Sequence, residues 1–286
     1  MSDHSEHIEG LDQVLHRYDG LVVDLWGVMH NGKALFPQAV AALEQARAMG
    51  KAITFLSNAP RRRTAALNNL TGNLGLNPDL IDDLITSGEI TWQALANGAA
   101  DDWGHQAYFF GAAKDLEIQE GLPGLRFVST LAQADWILNV GPEPGCSDVA
   151  PFQPWIRAAL DRGLPMVCAN PDLKVQRGHQ QEICAGSLGH AYAEQGGQVI
   201  WYGKPHSAVY EAVYASCGLP ASRLLAIGDS FKTDVRGANQ QGMDVLYVNT
   251  GIHGGEVGRP LDAKRLRKLA LAHGAIPTYA AEALNP

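Results

Sequence analysis

The chain has 286 residues, of which 46% are hydrophobic and 18% are charged, and its formal net charge is −8. A chain of this length and apolar content has room for two domains with buried cores, and its composition is that of a globular protein. The negative charge balance disfavours nucleic acid and anionic membrane surfaces as partners, because both are bound through clusters of lysine and arginine. The negative net charge does not exclude a small anionic ligand, because a few local cations can bind one.

Cysteine usage and hydropathy bear on location. No apolar run reaches the roughly 18 residues that a membrane span needs, and the first residues lack the apolar segment of a secretory signal. The four cysteines have no spacing typical of metal ligands. We therefore predict a cytoplasmic protein with reduced thiols and no membrane partner. The cysteines are Cys146, Cys168, Cys184 and Cys217.

The predicted elements alternate between strand and helix along the whole chain. Strand, helix and strand within about 35 residues form a βαβ unit, which predicts a parallel sheet. The predicted strands are residues 20–24, 52–56, 106–110, 136–140, 166–169, 199–203, 224–227 and 245–249. The predicted helices are residues 38–49, 61–69, 89–96, 154–161, 206–217 and 237–241.

This order predicts an α/β fold with two domains. We expect the two ends of the chain, residues 1–82 and 191–286, to form a Rossmann-like core with a parallel sheet. A second α/β domain, residues 83–190, is then inserted between them.

Polar side chains follow four of the predicted core strands. They are Asp24, Ser57, Asn58, Lys204, Asp229 and Asp234. Parallel strands of one sheet end at the same edge, where ligands bind, so we expect these side chains to form one site. For Asp24 the alternative is the capping of a following helix, a common use of aspartate after a strand.

The predicted set of side chains suits phosphate chemistry. Three clustered carboxylates repel one another unless a hard cation such as Mg²⁺ lies between them. The cation and the Lys204 ammonium would let a phosphate approach, and the Ser57 hydroxyl with backbone N–H groups would hold its oxygens. A carboxylate such as Asp24 can then attack phosphorus and form an aspartyl phosphate.

These motifs resemble those of the haloacid dehalogenase (HAD) superfamily in order and spacing. They are Asp24-Leu25-Trp26-Gly27, Ser57-Asn58, Gly203-Lys204-Pro205 and the Gly-Asp-xxxx-Asp run of residues 228–234. The insert is similar to the class IIA cap of NagD-like and p-nitrophenyl phosphatases, and Asn170-Pro171-Asp172 is typical of that group. The resemblance covers about residues 18 to 280.

The resemblance implies a role for each matching residue. Asp24 corresponds to the nucleophile, and Lys204 to a catalytic residue that also binds phosphate with Ser57 and Asn58. The metal set would be the carboxylates of Asp24, Asp229 and Asp234 with the backbone carbonyl of Trp26. The implied function is Mg²⁺-dependent hydrolysis of a small phosphorylated metabolite, such as a sugar phosphate. Relatives often pair through their caps, so the resemblance also implies a homodimer.

Trp26 departs from the family pattern. The family's phosphatases usually carry a second aspartate at this position, which protonates the leaving group and later activates water. Indole cannot do this, and general acid–base catalysis is worth about 10²–10⁴-fold in rate. We therefore expect a slow phosphatase, or one limited to good leaving groups, unless another residue substitutes. His30 is one candidate because imidazole titrates near neutrality, and His179 and His206 are others.

Two other functions stay open. One is a phosphometabolite-binding or regulatory protein that has lost catalysis, which Trp26 favours. The other is a different reaction of the superfamily, either C–halogen or C–P cleavage. Dehalogenation needs no Mg²⁺, so Asp229 and Asp234 count against it, and C–P cleavage usually requires a cap lysine. The run Arg61-Arg62-Arg63 either adds charge near the phosphate or forms a solvated helix face.

Overall fold

The computed structural model describes residues 5–177 and 180–286, and the chain divides into two compact units. The core unit comprises Met1–Ser57, Leu67–Ile85 and Lys204–Pro286. The inserted unit comprises Asn58–Ala66 and Thr86–Gly203. His179, a candidate proton donor in the sequence, lies outside the described residues.

Strands and helices follow one another through both units. The strands are β1 (Glu6–His7), β2 (Gly20–Val23), β3 (Ala52–Ser57), β4 (Asp83–Thr86), β5 (Gln106–Phe110), β6 (Arg126–Val128), β7 (Trp136–Asn139), β8 (Met166–Cys168), β9 (Lys174–Arg177), β10 (Gln180–Ile183), β11 (Val199–Trp201), β12 (Leu224–Gly228), β13 (Asp244–Val248) and β14 (Tyr279–Ala281). The helices are α1 (Asp12–Leu15), α2 (Pro37–Ala48), α3 (Arg63–Asn68), α4 (Ser87–Ala96), α5 (Gln153–Asp161), α6 (Ala185–Glu194), α7 (Ser207–Cys217), α8 (Arg236–Gln240), α9 (Gly254–Val257) and α10 (Ala263–His273).

The core unit is organised on a parallel sheet of seven strands in the order β1-β14-β13-β12-β2-β3-β4. Its central strands, β12 and β2, are buried along their whole length. A strand that is covered on both faces needs a continuous apolar sequence. The sequences Leu-Leu-Ala-Ile-Gly and Gly-Leu-Val-Val meet that need.

The register of the core sheet decides which residues follow the strands side by side. Val23 of β2 lies opposite Ile227 of β12 and Phe55 of β3. The backbone N–H of Asp24 continues this ladder and donates to the carbonyl of Ile227 at 2.9 Å. The carboxyl ends of β3, β2 and β12 are therefore neighbours, and the residues after them lie at one edge of the sheet.

The inserted unit has its own five-stranded parallel sheet, in the order β11-β8-β7-β5-β6, and the antiparallel hairpin β9–β10. Side chains along β7 alternate between two hydrophobic clusters. Trp136 and Leu138 pack in one, and Ile137 packs in the other with Tyr192 of α6. This alternation shows that helices cover the sheet on both faces, because successive strand residues point to opposite sides.

One predicted core strand belongs to the inserted unit instead. The sequence predicts residues 199–203 in the core sheet and residues 191–203 in the core domain, but β11 pairs with β8. After Thr86 the chain returns to the core unit only at Lys204. The physical reason is that Val-Ile-Trp is a short apolar run, which fits the edge of either sheet, and its pairing partner decides the outcome.

The predicted fold class is confirmed. Both main sheets are parallel and their strands alternate with helices, as a βαβ order requires. Within the described part of the chain, no helix combines the length and the apolar character needed to cross a bilayer.

Candidate active site

Three carboxylates converge at the carboxyl edge of the core sheet. Asp24 directly follows β2, and Asp229 directly follows the neighbouring strand β12. Asp234 comes from the π-helical turn Phe231–Val235, and its Oδ2 accepts a hydrogen bond from the N–H of Ser230 at 3.1 Å. One oxygen from each acid lies within 4.8 Å of the others, and all three side chains are buried. Strand ends and one turn therefore bring three of the predicted site residues together.

Lys204 joins two of these carboxylates. Its Nζ lies 2.5 Å from Oδ1 of Asp24 and 2.6 Å from Oδ1 of Asp234, and the residue is only 3% exposed. Charge-assisted hydrogen bonds of this length are strong. An ammonium buried so deeply is stable only when it is paired, and the same holds for the carboxylates that it pairs with.

The electrostatics of the site favour a further cation. Three carboxylates against one ammonium give a formal charge of −2. Burial raises the pKa of Asp229 well above its ordinary range, and the charges of Asp24 and Asp234 raise it further. Carboxylate oxygens are the donors that Mg²⁺ prefers, and a divalent ion would cancel the excess charge. The donor set therefore fits Mg²⁺.

The loop after β13 is a part of the site that the sequence analysis missed. The N–H of Ile252 donates to Oδ2 of Asp229 at 2.7 Å, and the Thr250 hydroxyl donates to the carbonyl of Gly27 at 2.5 Å. A Cβ on Gly251 would lie 1.5 Å from Oδ2 of Asp229, so only glycine fits there. The strand-end rule could have found this loop, because β13 adjoins β12 in the same parallel sheet.

Trp26 uses its side chain for packing. Its indole ring lies edge-on to the His30 ring, with 5.1 Å between centroids. A Cβ on Gly32 would lie 2.4 Å from the ring, so the indole also covers this glycine. The side chain therefore stabilises the turn after β2 and has no acidic proton to give at neutral pH.

The position of His30 argues against a role as proton donor. The side chain is 5% exposed, and its Nδ1 accepts a hydrogen bond from the N–H of Gly32 at 3.0 Å. Burial lowers the pKa of His30 to about 4. At neutral pH the imidazole is therefore uncharged, and a general acid must carry its proton at the working pH.

The predicted phosphate-binding pair, Ser57 and Asn58, spans the boundary between the units. Ser57 ends β3, next to the strand that precedes Asp24, and is buried in the core unit. Asn58 belongs to the inserted unit, where its Nδ2 donates to Oδ1 of Asp172 at 2.8 Å. The two residues are adjacent in sequence but belong to different units.

Two arginines of the run after Asn58 are held by carboxylates of the inserted unit. Arg61 pairs with Asp115 at 3.3 Å. Arg62 pairs with Glu89 at 2.8 Å and lies over the Trp92 ring, 3.8 Å from its centroid. Arg62 attaches the segment to α4, and Arg61 attaches it to the 3-10 turn Ala113–Gln119, so the two arginines have a structural role.

Comparison with known proteins now gives the family. The sequence model of the haloacid dehalogenase-like hydrolases matches residues 21–122, and that of the HAD-hydrolase-like proteins matches residues 201–267. A crystal structure of a haloacid dehalogenase-like hydrolase from Brucella suis 1330 is 33% identical, with a TM-score of 0.83, over 97% of this chain and 99% of that one. The chain belongs to the haloacid dehalogenase-like hydrolases. The predicted family is confirmed.

Two proteins to which this hydrolase is more distantly similar carry names that concern sugar phosphates. Sugar-phosphatase AraL of Bacillus subtilis (strain 168) is 26% identical over 234 residues, which cover 81% of this chain and 83% of that protein. The structure of a possible sugar phosphatase of the HAD superfamily from Cytophaga hutchinsonii ATCC 33406 has a TM-score of 0.77 at 20% identity, over 98% of both chains. At that identity the second likeness shows a shared fold.

The raised pKa of Asp229 predicts opposite effects of Asp229→Asn with and without metal. In metal-free protein at pH 7 the variant removes a buried carboxyl group whose ionised form the neighbouring carboxylates repel, and it raises the thermal midpoint, by about 2–4 °C for each kcal/mol gained. Mg²⁺ at 100 times its dissociation constant would stabilise the wild type by about 2.7 kcal/mol and the variant far less. Thermal unfolding with EDTA measures the metal-free effect, and thermal unfolding with MgCl₂ measures the stabilisation by the metal. Asp244→Asn, at the far end of β13, is the control and should keep the Mg²⁺ stabilisation of the wild type. Equal Mg²⁺ stabilisation of wild type and Asp229→Asn would contradict this assignment.

The lowered pKa of His30 predicts a pH dependence of stability. The unfolded state binds a proton near pH 6.5 and the folded state only near pH 4, so the native state loses stability as the pH falls through this window. The loss amounts to at most about 3 kcal/mol. His30→Gln keeps an acceptor for the Gly32 N–H but does not titrate.

Denaturant unfolding of wild type and His30→Gln between pH 4 and pH 7 measures this difference. The wild-type free energy of unfolding should fall relative to the variant as the pH drops. His16→Gln, which changes an exposed histidine after α1, should follow the wild-type curve. Parallel curves for wild type and His30→Gln would show that His30 does not titrate as described.

Proposed function

We propose that this hydrolase is a Mg²⁺-dependent phosphatase of small phosphorylated metabolites that forms an aspartyl phosphate on Asp24. The observation that carries the proposal is the buried Lys204 ammonium, which joins Asp24 and Asp234 beside the third carboxylate, Asp229. The similarity to a protein named sugar-phosphatase favours sugar phosphates as the substrate class.

Asp24 is the nucleophile of the proposed reaction. Its carboxylate attacks phosphorus, the bond between phosphorus and the leaving oxygen breaks, and the leaving group departs with the bonding electrons. Lys204 holds Asp24 through their short ion pair, and it offsets negative charge on the phosphoryl oxygens. Ser57, at the end of the adjacent strand, provides a hydroxyl donor for the same oxygens. Water then cleaves the aspartyl phosphate and releases inorganic phosphate.

Mg²⁺ would be held by the carboxylates of Asp24, Asp229 and Asp234 and the backbone carbonyl of Trp26. When bound, it supplies positive charge that lets the phosphate dianion approach the Asp24 carboxylate. Ile252 fixes the orientation of Asp229 through its N–H, and Ser230 does the same for Asp234. These backbone donors keep the metal-binding oxygens in place, as outer-shell hydrogen bonds do in metal sites.

The leaving group determines the rate of the first step. Because Trp26 has no acidic proton and His30 is uncharged at neutral pH, neither side chain protonates the leaving oxygen. We therefore infer that phenolates, which are leaving groups of low pKa, depart faster than alkoxides, and that sugar phosphates, which release alkoxides, are hydrolysed slowly. Binding without turnover is the second candidate function, and Trp26 is the observation that favours it. A cytoplasmic location and a homodimer through the inserted unit remain predictions.

The first test is hydrolysis of p-nitrophenyl phosphate by the purified chain with MgCl₂. Asp24→Asn should reduce the rate to background, because the amide is not a nucleophile and the covalent step is lost. Asp19→Asn changes an exposed carboxylate at the other end of β2, where it pairs with Arg223, and should retain wild-type activity. If wild type and Asp24→Asn share one background rate across a panel of phosphate esters, hydrolysis is the wrong function.

The second test is Trp26→Asp, assayed on an aryl and an alkyl phosphate. The new carboxyl group would supply the proton, so turnover of glycerol phosphate should rise by about 10²–10⁴-fold and that of p-nitrophenyl phosphate much less. Trp26→Asn is the matched control, because it loses the same packing and gains no acid. Wild-type rates that are equal for both esters, with no gain in Trp26→Asp, would show that another group already protonates the leaving oxygen.

A further inference from the structure

Four residues of the inserted unit meet at its junctions with the core unit. We call Asn58, Ser87, Asp172 and Gly203 the junction cluster. Asn58 directly follows Ser57, and Gly203 directly precedes Lys204, so two members are bonded to residues of the proposed phosphate site. The contacts among the four lie wholly within the inserted unit.

Asp172 anchors Asn58 from a rigid loop. The Asn58 side chain donates to Oδ1 of Asp172 at 2.8 Å, and Asn58 is only 3% exposed. The N–H of Asp172 donates to Oδ1 of Asn170 at 2.9 Å. The next carbonyl, that of Leu173, accepts from the N–H of Cys184 at 2.8 Å and the hydroxyl of Ser187 at 2.6 Å, at the start of α6. The acceptor for Asn58 is therefore fixed on both sides.

Gly203 is enclosed by the same cluster. It has a φ of +120°, and a Cβ there would lie 2.6 Å from Cδ of Pro171, 2.7 Å from Oδ1 of Asn58 and 2.8 Å from Oγ of Ser87. Only glycine suits this conformation and this space. The Ser87 hydroxyl also contacts the carbonyl of Tyr202, the residue before Gly203. The chain that leads into Lys204 is thus packed on the Asn58 side chain.

We infer that Asn58 and Asp172 are a positioning pair, which fixes the backbone at Ser57 and at Lys204 together. On this account the Asn58 amide donates to Asp172 and packs against Gly203, whereas Ser57 and Lys204 bind the phosphate. The inference rests on the proposed phosphatase function for its kinetic consequence. Displacement of a substrate-binding group by about 1 Å costs roughly 10²-fold in rate.

An exchange of donor and acceptor tests the pair. Asn58→Asp places two carboxylates at hydrogen-bond distance, so they repel, and kcat/KM for p-nitrophenyl phosphate should fall about 10²-fold. In the double variant Asn58→Asp with Asp172→Asn, the new amide donates to the new carboxylate. We expect kcat/KM to return to within about 10-fold of wild type, in protein whose folding is verified by circular dichroism.

The double variant separates positioning from direct contact. If the residue at 58 contacts phosphate itself, its carboxylate still repels the substrate, and the double variant stays as slow as Asn58→Asp. If the pair has only a structural role, Asn58→Asp lowers the thermal midpoint and leaves kcat/KM of the folded protein unchanged. Either result overturns the inference.

A control and a second readout complete the experiment. Asp135→Asn makes the same change in a carboxylate that accepts from the N–H of Gln106 at 2.9 Å in the same unit, and it should leave kcat/KM unchanged. Calorimetry with inorganic phosphate and MgCl₂ follows the same variants without turnover. If the wild type binds phosphate but hydrolyses no ester, the proposed function is wrong. The positioning pair is still tested in that case, because phosphate binding should be lost in Asn58→Asp and recovered in the double variant.

Discussion

The candidate site depends on one buried ion pair network, in which a single ammonium pairs with two carboxylates. Lys204 lies 2.5 Å from Asp24 and 2.6 Å from Asp234, and it is the first residue of the core unit after the inserted unit. Buried ion pairs rarely add stability over apolar residues of the same volume. A role in catalysis therefore explains this network better than a contribution to the stability of the fold. The third carboxylate, Asp229, increases the excess negative charge. The fold tolerates the excess negative charge because backbone N–H groups of the loops after the strands donate to Asp229 and Asp234.

The structure compensates this electrostatic cost with local hydrogen bonds. Ile252 donates to Asp229 and Ser230 donates to Asp234, and both donors are backbone groups that lose little entropy when they bind. The π-helical turn that carries Asp234 is of a kind found frequently at functional sites. Trp26 and His30 contribute differently, since they pack the turn after β2 and leave it without a proton donor at neutral pH.

Much of the site follows from the sequence because it depends on local rules. Apolar runs that end in Asp24, Ser57 and Asp229 predict parallel strands, and parallel strands predict one shared edge. The sequence predicts the wrong sheet for the strand before Lys204, because three apolar residues do not indicate their pairing partner. The elements β1 and β14 have only two and three residues and give no periodic signal. The bond between Asn58 and Asp172 joins residues 114 positions apart, and the pKa of His30 depends on burial, so neither could be predicted from a pattern.

The central claim is that Asp24 becomes phosphorylated during turnover, and acid quenching followed by mass spectrometry tests it most directly. The enzyme is mixed with p-nitrophenyl phosphate and MgCl₂, quenched within the first turnovers, and digested. The account predicts one phosphoryl group on the peptide that contains Asp24, and its loss on treatment with hydroxylamine, because an acyl phosphate is labile to nucleophiles. Because Trp26 provides no base to activate water, this intermediate should accumulate. Active enzyme whose Asp24 peptide stays unmodified at every quench time would contradict the account.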